Sequence, residues 1–494
     1  MLRHNPLQLP LFCYEDGQVD QMINPIRKVN LVLYYRDYGH NTMFCTAASR
    51  FVGKEKIRDD VAWENSKFIY KSNVFIPLLF NTKNNLLFLA LGLGQGRPGY
   101  GGTEQEWGTI EIRPGAHAFW WLYFVNPPSK PTNFDVFSRP LIIWLQGGPG
   151  YGASGIGNFL EIGPLDMYGT PRNTTWVNDY NVLFIDAPVG AGFSYTNSTE
   201  GFNTQDSAIA DDVISVIKFF LELFPKYQTV PTYIIGQSYG AKIAVNVAWK
   251  LDQGNRKFQH NLKGVGLGGP AISSLDILQA VPSFAFHLGF IDAKQRDTVQ
   301  EVVDKVTAPV EQKKWAEAVD KCGDVLTKLW QYTEPFDYTN ILLKREPNWS
   351  YNKIVMENTE FMNKNVKSVL NLTIDFGAQT DYVFEALLGA YMQPAIDTVK
   401  RLLNETDLKV DIYSGQLDFS VPTTSVVGLL DRMFKDDDGW ANADRTRLIV
   451  DNIVEGYQKH YNNLSMYWVF RAGHWAPRDN PAALKTILQN LIGS

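Results

Sequence analysis

At 494 residues the chain exceeds what one hydrophobic core usually fills, so it holds either one large domain with insertions or two to three smaller ones. Apolar residues make up 45% and charged residues 20%, a balance that excludes a disordered chain. A net charge of −6 without a long Lys/Arg block excludes the footprint of a nucleic-acid binder. The longest apolar runs, 74–80 and 86–93, fall well short of the roughly 20 residues that span a bilayer.

Residues 1–104 read as an atypical N-terminal extension, without sustained helical or strand periodicity and ending in the Gly-rich run 91–102. Inside it, segment 83–94 has a basic flank, a short apolar stretch and small residues, the layout of a secretory signal. On that reading the residues before about 83 are a wrongly joined gene segment or an unusual leader, and the mature chain starts near 94–104. Cys13, Cys45 and Cys322 lie far apart, with no Cys-x-x-Cys spacing to suggest a zinc site or a redox motif.

From residue 105 onward, strand-length apolar runs alternate with amphipathic stretches of helix length. Strands are predicted at 109–113, 116–125, 140–146, 182–186, 232–235, 262–267, 410–413 and 465–471; helices at 206–224, 239–251, 382–403, 421–432 and 481–491. Near-continuous apolar strands such as Leu141-Ile-Ile-Trp-Leu145 imply cover on both faces, hence an α/β fold: a mostly parallel central sheet with helices on each side. Between the strands ending near 268 and starting near 409, no core strand is evident, while helical patterns occur at 292–306 and 310–330. A segment so long is read as a helical lid inserted at about 270–395. The sequons at Asn173, Asn197, Asn348, Asn371, Asn404 and Asn463 all follow residue 104 and point to the secretory route, with a secreted or lysosomal/vacuolar destination.

Gly236-Gln-Ser-Tyr-Gly240 sits between an apolar strand and a helical stretch. A sharp strand-to-helix turn there exposes the Ser238 hydroxyl above the sheet edge, the setting of an activated nucleophile. Such a Ser needs a base and a group to orient it, in the chain order Ser, acid, His. His260 and His287 precede any later core strand; His460 is read in a polar turn ahead of a strand, and His474 just after one, so His474 is the preferred base. Of the two aspartates in 411–422, Asp411 begins inside a strand and Asp418 follows it, which favours Asp418 as the acid. Asp436–Asp438 reads as a solvated loop. The glycines of Gln146-Gly-Gly-Pro-Gly150 can expose N–H groups, so Gly148 and Tyr239, the residue after the nucleophile, are candidates for the oxyanion hole.

These residues resemble the serine carboxypeptidase family of the α/β-hydrolase fold from about residue 108 to the C-terminus, and most of all its retinoid-inducible subgroup. The shared stretches are Trp144-Leu-Gln-Gly-Gly-Pro-Gly150, Phe159-Leu-Glu-Ile-Gly-Pro164, Asp186-Ala-Pro-Val-Gly-Ala-Gly-Phe-Ser-Tyr195, Gln237-Ser-Tyr-Gly240 and Gly473-His474. The resemblance implies hydrolysis of the C-terminal bond of peptides or proteins through Ser238, Asp418 and His474, with no metal or organic cofactor. It also implies that the substrate's terminal carboxylate is received by Gln146, the backbone of Gly147, Glu161 and Gln237. Two departures stand out. Gln237 replaces the family's Glu beside the nucleophile, which implies a weaker requirement for acid, and Tyr151-Gly-Ala-Ser154 replaces a Cys-containing stretch, so the family's usual disulfides cannot all form. Rival readings of the same residues are an acyltransferase using an ester donor and a catalytically silent binding or stabilising protein.

Overall fold

The computed structural model describes residues 97–493 apart from 132, 254–257, 334–335 and 345–350, together with the backbone of two strands nearer the N-terminus. Segment 83–94, Cys13, the Cys45 side chain and Asn348 lie outside the described residues. The chain divides into two compact units, 1–91 and 92–494. In the first, Val32–Arg36 and Met43–Ala47 pair antiparallel, with Val32 opposite Ala47.

The second unit is built on one large sheet. Its principal strands are β1 (Glu104–Arg113), β2 (Ala116–Tyr123), β3 (Leu141–Leu145), β4 (Asn181–Ile185), β5 (Thr232–Gln237), β6 (Leu262–Gly268), β7 (Lys409–Gly415), β8 (Arg445–Val450), β9 (Ile453–Tyr461) and β10 (Leu464–Val469). They lie in the order β8-β9-β10-β7-β6-β5-β3-β4-β2-β1. The central six, β10 to β4, run parallel. Antiparallel strands extend both margins, and Arg97–Pro98 and Tyr195–Thr196 add short antiparallel pairs to β1 and β2.

The fully buried strand β3 accounts for the layers. Leu141, Ile143 and Leu145 belong to the core on one face, packed with Ile209 and Val213 of helix α1 (Asp206–Leu223) and Ile243 and Val247 of α2 (Tyr239–Asp252). Ile142 and Trp144 point to the other face, where Ile487 and Leu491 of the C-terminal helix Pro481–Ile492 and Phe159 of a π-helical stretch, Ala153–Ile162, complete the core. This two-fold alternation follows from the pleat, and apolar side chains at every position are what a strand covered on both sides requires.

Among the described residues between β6 and β7 come α3 (Ser274–His287), α4 (Ala293–Glu311), α5 (Trp315–Trp330), α6 (Tyr351–Phe361) with the π-helical turn Met362–Val366 after it, and three shorter α-helices, Thr380–Ala386, Leu388–Tyr391 and Ile396–Glu405. The helix predicted at 382–403 is therefore broken in three. Pro394, which lacks an N–H and clashes with the preceding turn, lies in the second interruption. Among the described residues no helix is long and apolar enough to cross a membrane.

Candidate active site

Ser238 occupies the single residue between β5 and α2, with φ 59° and ψ −124°. For a residue with a Cβ this backbone is strained by about 1–3 kcal/mol and persists only where its surroundings enforce it. The flanking glycines allow it through space rather than through their own torsions. A Cβ on Gly236 would stand 2.2 Å from the Gly240 carbonyl oxygen, and one on Gly240 would stand 2.2 Å from that of Leu145. The Ser238 N–H donates to Gly268 O at the end of β6 (2.8 Å), and the Ser238 carbonyl accepts from Ala271 N–H (3.2 Å). On the other side the 146–150 loop closes in: a Cβ at Gly147 would lie 2.6 Å from Ser238 Cβ and 2.9 Å from Tyr239 N. Tyr239 opens α2, so its N–H has no acceptor within the helix.

His474 and Asp418 leave the same edge of the sheet from adjacent parallel strands, β10 and β7. Their side chains join, His474 Nδ1 lying 2.7 Å from Asp418 Oδ2. Asp418 is fully buried, and its Oδ1 accepts from Val421 N–H at 2.9 Å. Burial pushes its carboxyl above the ordinary range, while the neighbouring His474 pulls it back. Two links bring this pair to Ser238. Gln237, the residue before Ser238, donates from Nε2 to the His474 carbonyl (2.6 Å). Gly269, following the carbonyl that holds Ser238, sits where a Cβ would be 3.1 Å from Asp418 Oδ2 and 3.2 Å from His474 Nδ1.

The competing residues go elsewhere. His460 lies within strand β9 rather than in a turn, and its Nδ1 meets Ser465 Oγ at 3.0 Å across the antiparallel pair. Asp411 stays inside β7, where burial raises its carboxyl to about 7. Asp437 caps the short helix Asp438–Asn442, a local structural role.

Gln146, Glu161 and Gln237 form one buried chain of hydrogen bonds. Trp144 Nε1 donates to Gln146 Oε1 (2.8 Å), and Gln146 Nε2 donates to both Gln237 Oε1 (2.6 Å) and Glu161 Oε1 (3.1 Å). Burial raises Glu161 to about 8, so it is neutral over the acid and neutral range. Its Oε2 is buried with no hydrogen-bond partner among the described residues. Among those residues no group of three or more His, Cys, Asp or Glu side chains stands together as a metal site.

With this geometry in place, comparison with known proteins decides the family. Residues 98–494 match the serine carboxypeptidase family. The chain belongs to that family. Retinoid-inducible serine carboxypeptidase of Mus musculus is 32% identical over 416 residues, covering 76% of this chain and 88% of the relative. The Homo sapiens protein of the same name is 31% identical over 432 residues, covering 80% and 93%. Serine carboxypeptidase-like 51 of Arabidopsis thaliana is 31% identical over 431 residues, covering 78% and 91%. In fold the chain is similar to the crystal structure of a prohormone-processing carboxypeptidase from Saccharomyces cerevisiae, with TM-score 0.68 and 21% identity, over 79% of this chain and 91% of that one. The protein is a serine-type carboxypeptidase on an α/β-hydrolase fold, a hydrolase whose substrates are peptides.

The carboxypeptidase surrounds these residues with supports that the sequence reading did not single out. Asp186 accepts from Ser154 N–H (2.8 Å) and Ser154 Oγ (2.7 Å), anchoring the start of the π-helical stretch that carries Glu161. Arg172 donates to carbonyls at its far end, those of Asn158 (3.0 Å), Leu165 (2.6 Å) and Phe159. Tyr239 donates its hydroxyl to Asp206, which also pairs with the buried Lys242 at 2.9 Å; Lys242 in turn donates to Ala390 O (2.9 Å) in the insertion. Cys322 is a free, buried thiol in α5, raised to about 11 by its apolar surroundings.

Proposed function

We propose that Ser238, His474 and Asp418 are the catalytic triad of this carboxypeptidase, and that Gly148 and Tyr239 supply the oxyanion-hole N–H groups. The single observation that carries the reading is the 2.7 Å Asp418–His474 pair, tied by Gln237 and Gly268–Gly269 to the strained backbone of Ser238. Ser238 Oγ attacks the last peptide carbonyl and His474 takes its proton. Asp418 holds the imidazole tautomer that makes this possible, and the oxyanion forms against the two backbone N–H groups. His474 then protonates the departing amino acid, and water repeats the sequence on the acyl-enzyme. Gln146, Gly147, Glu161 and Gln237 receive the terminal carboxylate: the neutral Glu161 accepts an anionic neighbour without charge repulsion, and its unpartnered oxygen is the group left to bond it.

The test is release of the last amino acid from blocked dipeptides between about pH 4 and 8 by the protein and by Ser238→Ala. Loss of release in the variant supports the assignment; retained hydrolysis rejects it. We assign the catalytic domain to about 98–494, a few residues ahead of the expected start at 105, with 270–395 as its lid and the residues before 98 as an extension. Support comes from the start of the family match at residue 98 and from the helices between β6 and β7. A secretory route, with a secreted or lysosomal/vacuolar destination, is supported by exposed sequons at Asn173, Asn197, Asn371 and Asn404.

A further inference from the structure

The insertion between β6 and β7 does more than cover the sheet, because one short part of it returns to the catalytic edge. Asp337 is completely buried. Its Oδ1 accepts from Thr339 N–H (2.8 Å), Thr339 Oγ1 (2.5 Å) and Asn340 N–H (3.4 Å), folding residues 337–340 into a turn built on one side chain. The turn presents two consecutive carbonyls to two different loops. Tyr338 O accepts from Phe419 N–H (3.0 Å) and Ser420 N–H (2.9 Å), immediately after Asp418. Thr339 O accepts from the N–H of His474 itself (2.5 Å).

Two further bonds close the arrangement. Ile341 N–H donates to Leu417 O (3.2 Å), so the acid loop is held on both sides of Asp418. Asn340 Nδ2 donates to Asp479 Oδ2 (2.8 Å), and that same oxygen accepts from Gly473 N–H (2.8 Å), which fixes the residue before the base. Upstream, the Phe336 ring packs on Phe419 with centroids 4.9 Å apart. The acid and base loops touch each other directly through Leu417 N–H to Ala472 O (2.8 Å), a bond that precedes both reacting residues. Beyond that point the Asp418–His474 side chains join the loops, and it is the turn from the insertion that bridges their backbones.

We infer that Asp337 is a positioning residue: by shaping the 337–340 turn it clamps the Asp418 and His474 loops in the register that their hydrogen bond needs. The physical basis is tolerance. Displacing a reacting group by about 1 Å can cost about 100-fold in rate, and backbone carbonyls held by a buried side chain resist such displacement better than an exposed loop does. The inference rests on the triad reading proposed above, and the two fail separately. Activity in Ser238→Ala would remove the triad, whereas the clamp is tested by variants that leave all three triad residues in place.

Asp337→Ala removes the acceptor on which the turn is built, while Asp337→Asn keeps an oxygen there. The expected result for Asp337→Ala is a kcat lower by about 10- to 100-fold with KM within about twofold, and a proportionate slowing of Ser238 labelling by a fluorophosphonate. Asp337→Asn is expected to stay within about threefold of the parent. Asn340→Ala, which cuts the arm through Asp479 and the bond from Leu342 N–H (3.1 Å) while leaving Asp337 and its acceptor in place, should lower kcat in the same sense by a smaller factor. A folded Asp337→Ala protein with unchanged kcat overturns the inference, as does one whose KM rises while kcat holds, or an Asp337→Asn protein as impaired as the alanine variant. If Asp337→Ala does not fold, Asn340→Ala decides, and a kcat equal to the parent's overturns the clamp.

Discussion

Gln237 sits beside Ser238 with both ends of its amide engaged, accepting from Gln146 and donating to the His474 carbonyl. A carboxylate there could keep the first bond but not the second, because facing a carbonyl oxygen it must hold a proton. Gln237→Glu should therefore leave activity intact in acid and move the alkaline limb of kcat/KM down by about one pH unit or more, read from a pH–rate profile. An unchanged profile would contradict this. In the parent protein the only carboxyl in that chain of bonds is Glu161, raised to about 8 by burial. Below that value it is neutral and, in the proposed carboxylate-binding role, tolerates the substrate's anionic end. Above it two negative charges share a dry site, so KM should climb past about pH 8 while kcat stays level, and Glu161→Gln should flatten the rise. Ser238, Asp418 and His474 were legible as candidates because chain order, strand ends and small neighbours narrow the choice. Asp337 was not, since an Asp-x-Thr turn is a common local motif whose long-range partners only the fold supplies.

At the scale of elements, the π-helical stretch Ala153–Ile162 shows what periodicity cannot reveal. All ten of its residues are buried, Ser154, Asn158 and Glu161 among them, and Gly155 and Gly157 are poor helix formers, so the sequence predicts no element there. The edge hairpin of β8 and β9 escaped for the opposite reason, as β8 is mostly exposed and lacks an apolar run. That misreading is what placed His460 in a turn. The π-helical stretch owes its position to Asp186 at one end and Arg172 at the other. Arg172→Ala would take the guanidinium donor from the Phe159 and Leu165 carbonyls, while the Asn158 carbonyl keeps Gly163 N–H (2.9 Å), and each group left buried and unpaired costs about 1–3 kcal/mol. The expected outcome is a lowered melting temperature together with a KM that rises more than kcat falls, because Glu161 shifts while Ser238, Asp418 and His474 are held at strand ends. Equal losses in kcat and KM would argue against that division.

Over the whole molecule, a mostly parallel sheet with helical cover followed from apolar runs separated by amphipathic ones, whereas the strand order did not, and the parallel centre puts Ser238, Asp418 and His474 at one edge, where the strands end. The fold also sorts the sequons. Asn173, Asn197, Asn371 and Asn404 are exposed and can carry a sugar without cost to the core. Asn463 cannot: it is half-buried in the turn between β9 and β10, and its Nδ2 donates to Leu408 O (3.0 Å) and Thr406 O (3.4 Å), tying that turn to the strand entry of β7. Because glycan transfer acts on chains that have yet to fold, the discrimination falls at folding. A sugar on Asn463 replaces one of its two amide hydrogens and must leave through the turn, so modified chains forfeit a structural bond. Folded, active protein from a secretory host should thus carry glycans at some or all of the four exposed sites and none at Asn463, as read by mass spectrometry of its peptides before and after enzymatic deglycosylation. Occupancy of Asn463 in the active fraction would show that the turn has room the described packing denies it, and a chain with no glycans at all would remove the support that the sequons lend to the secretory route.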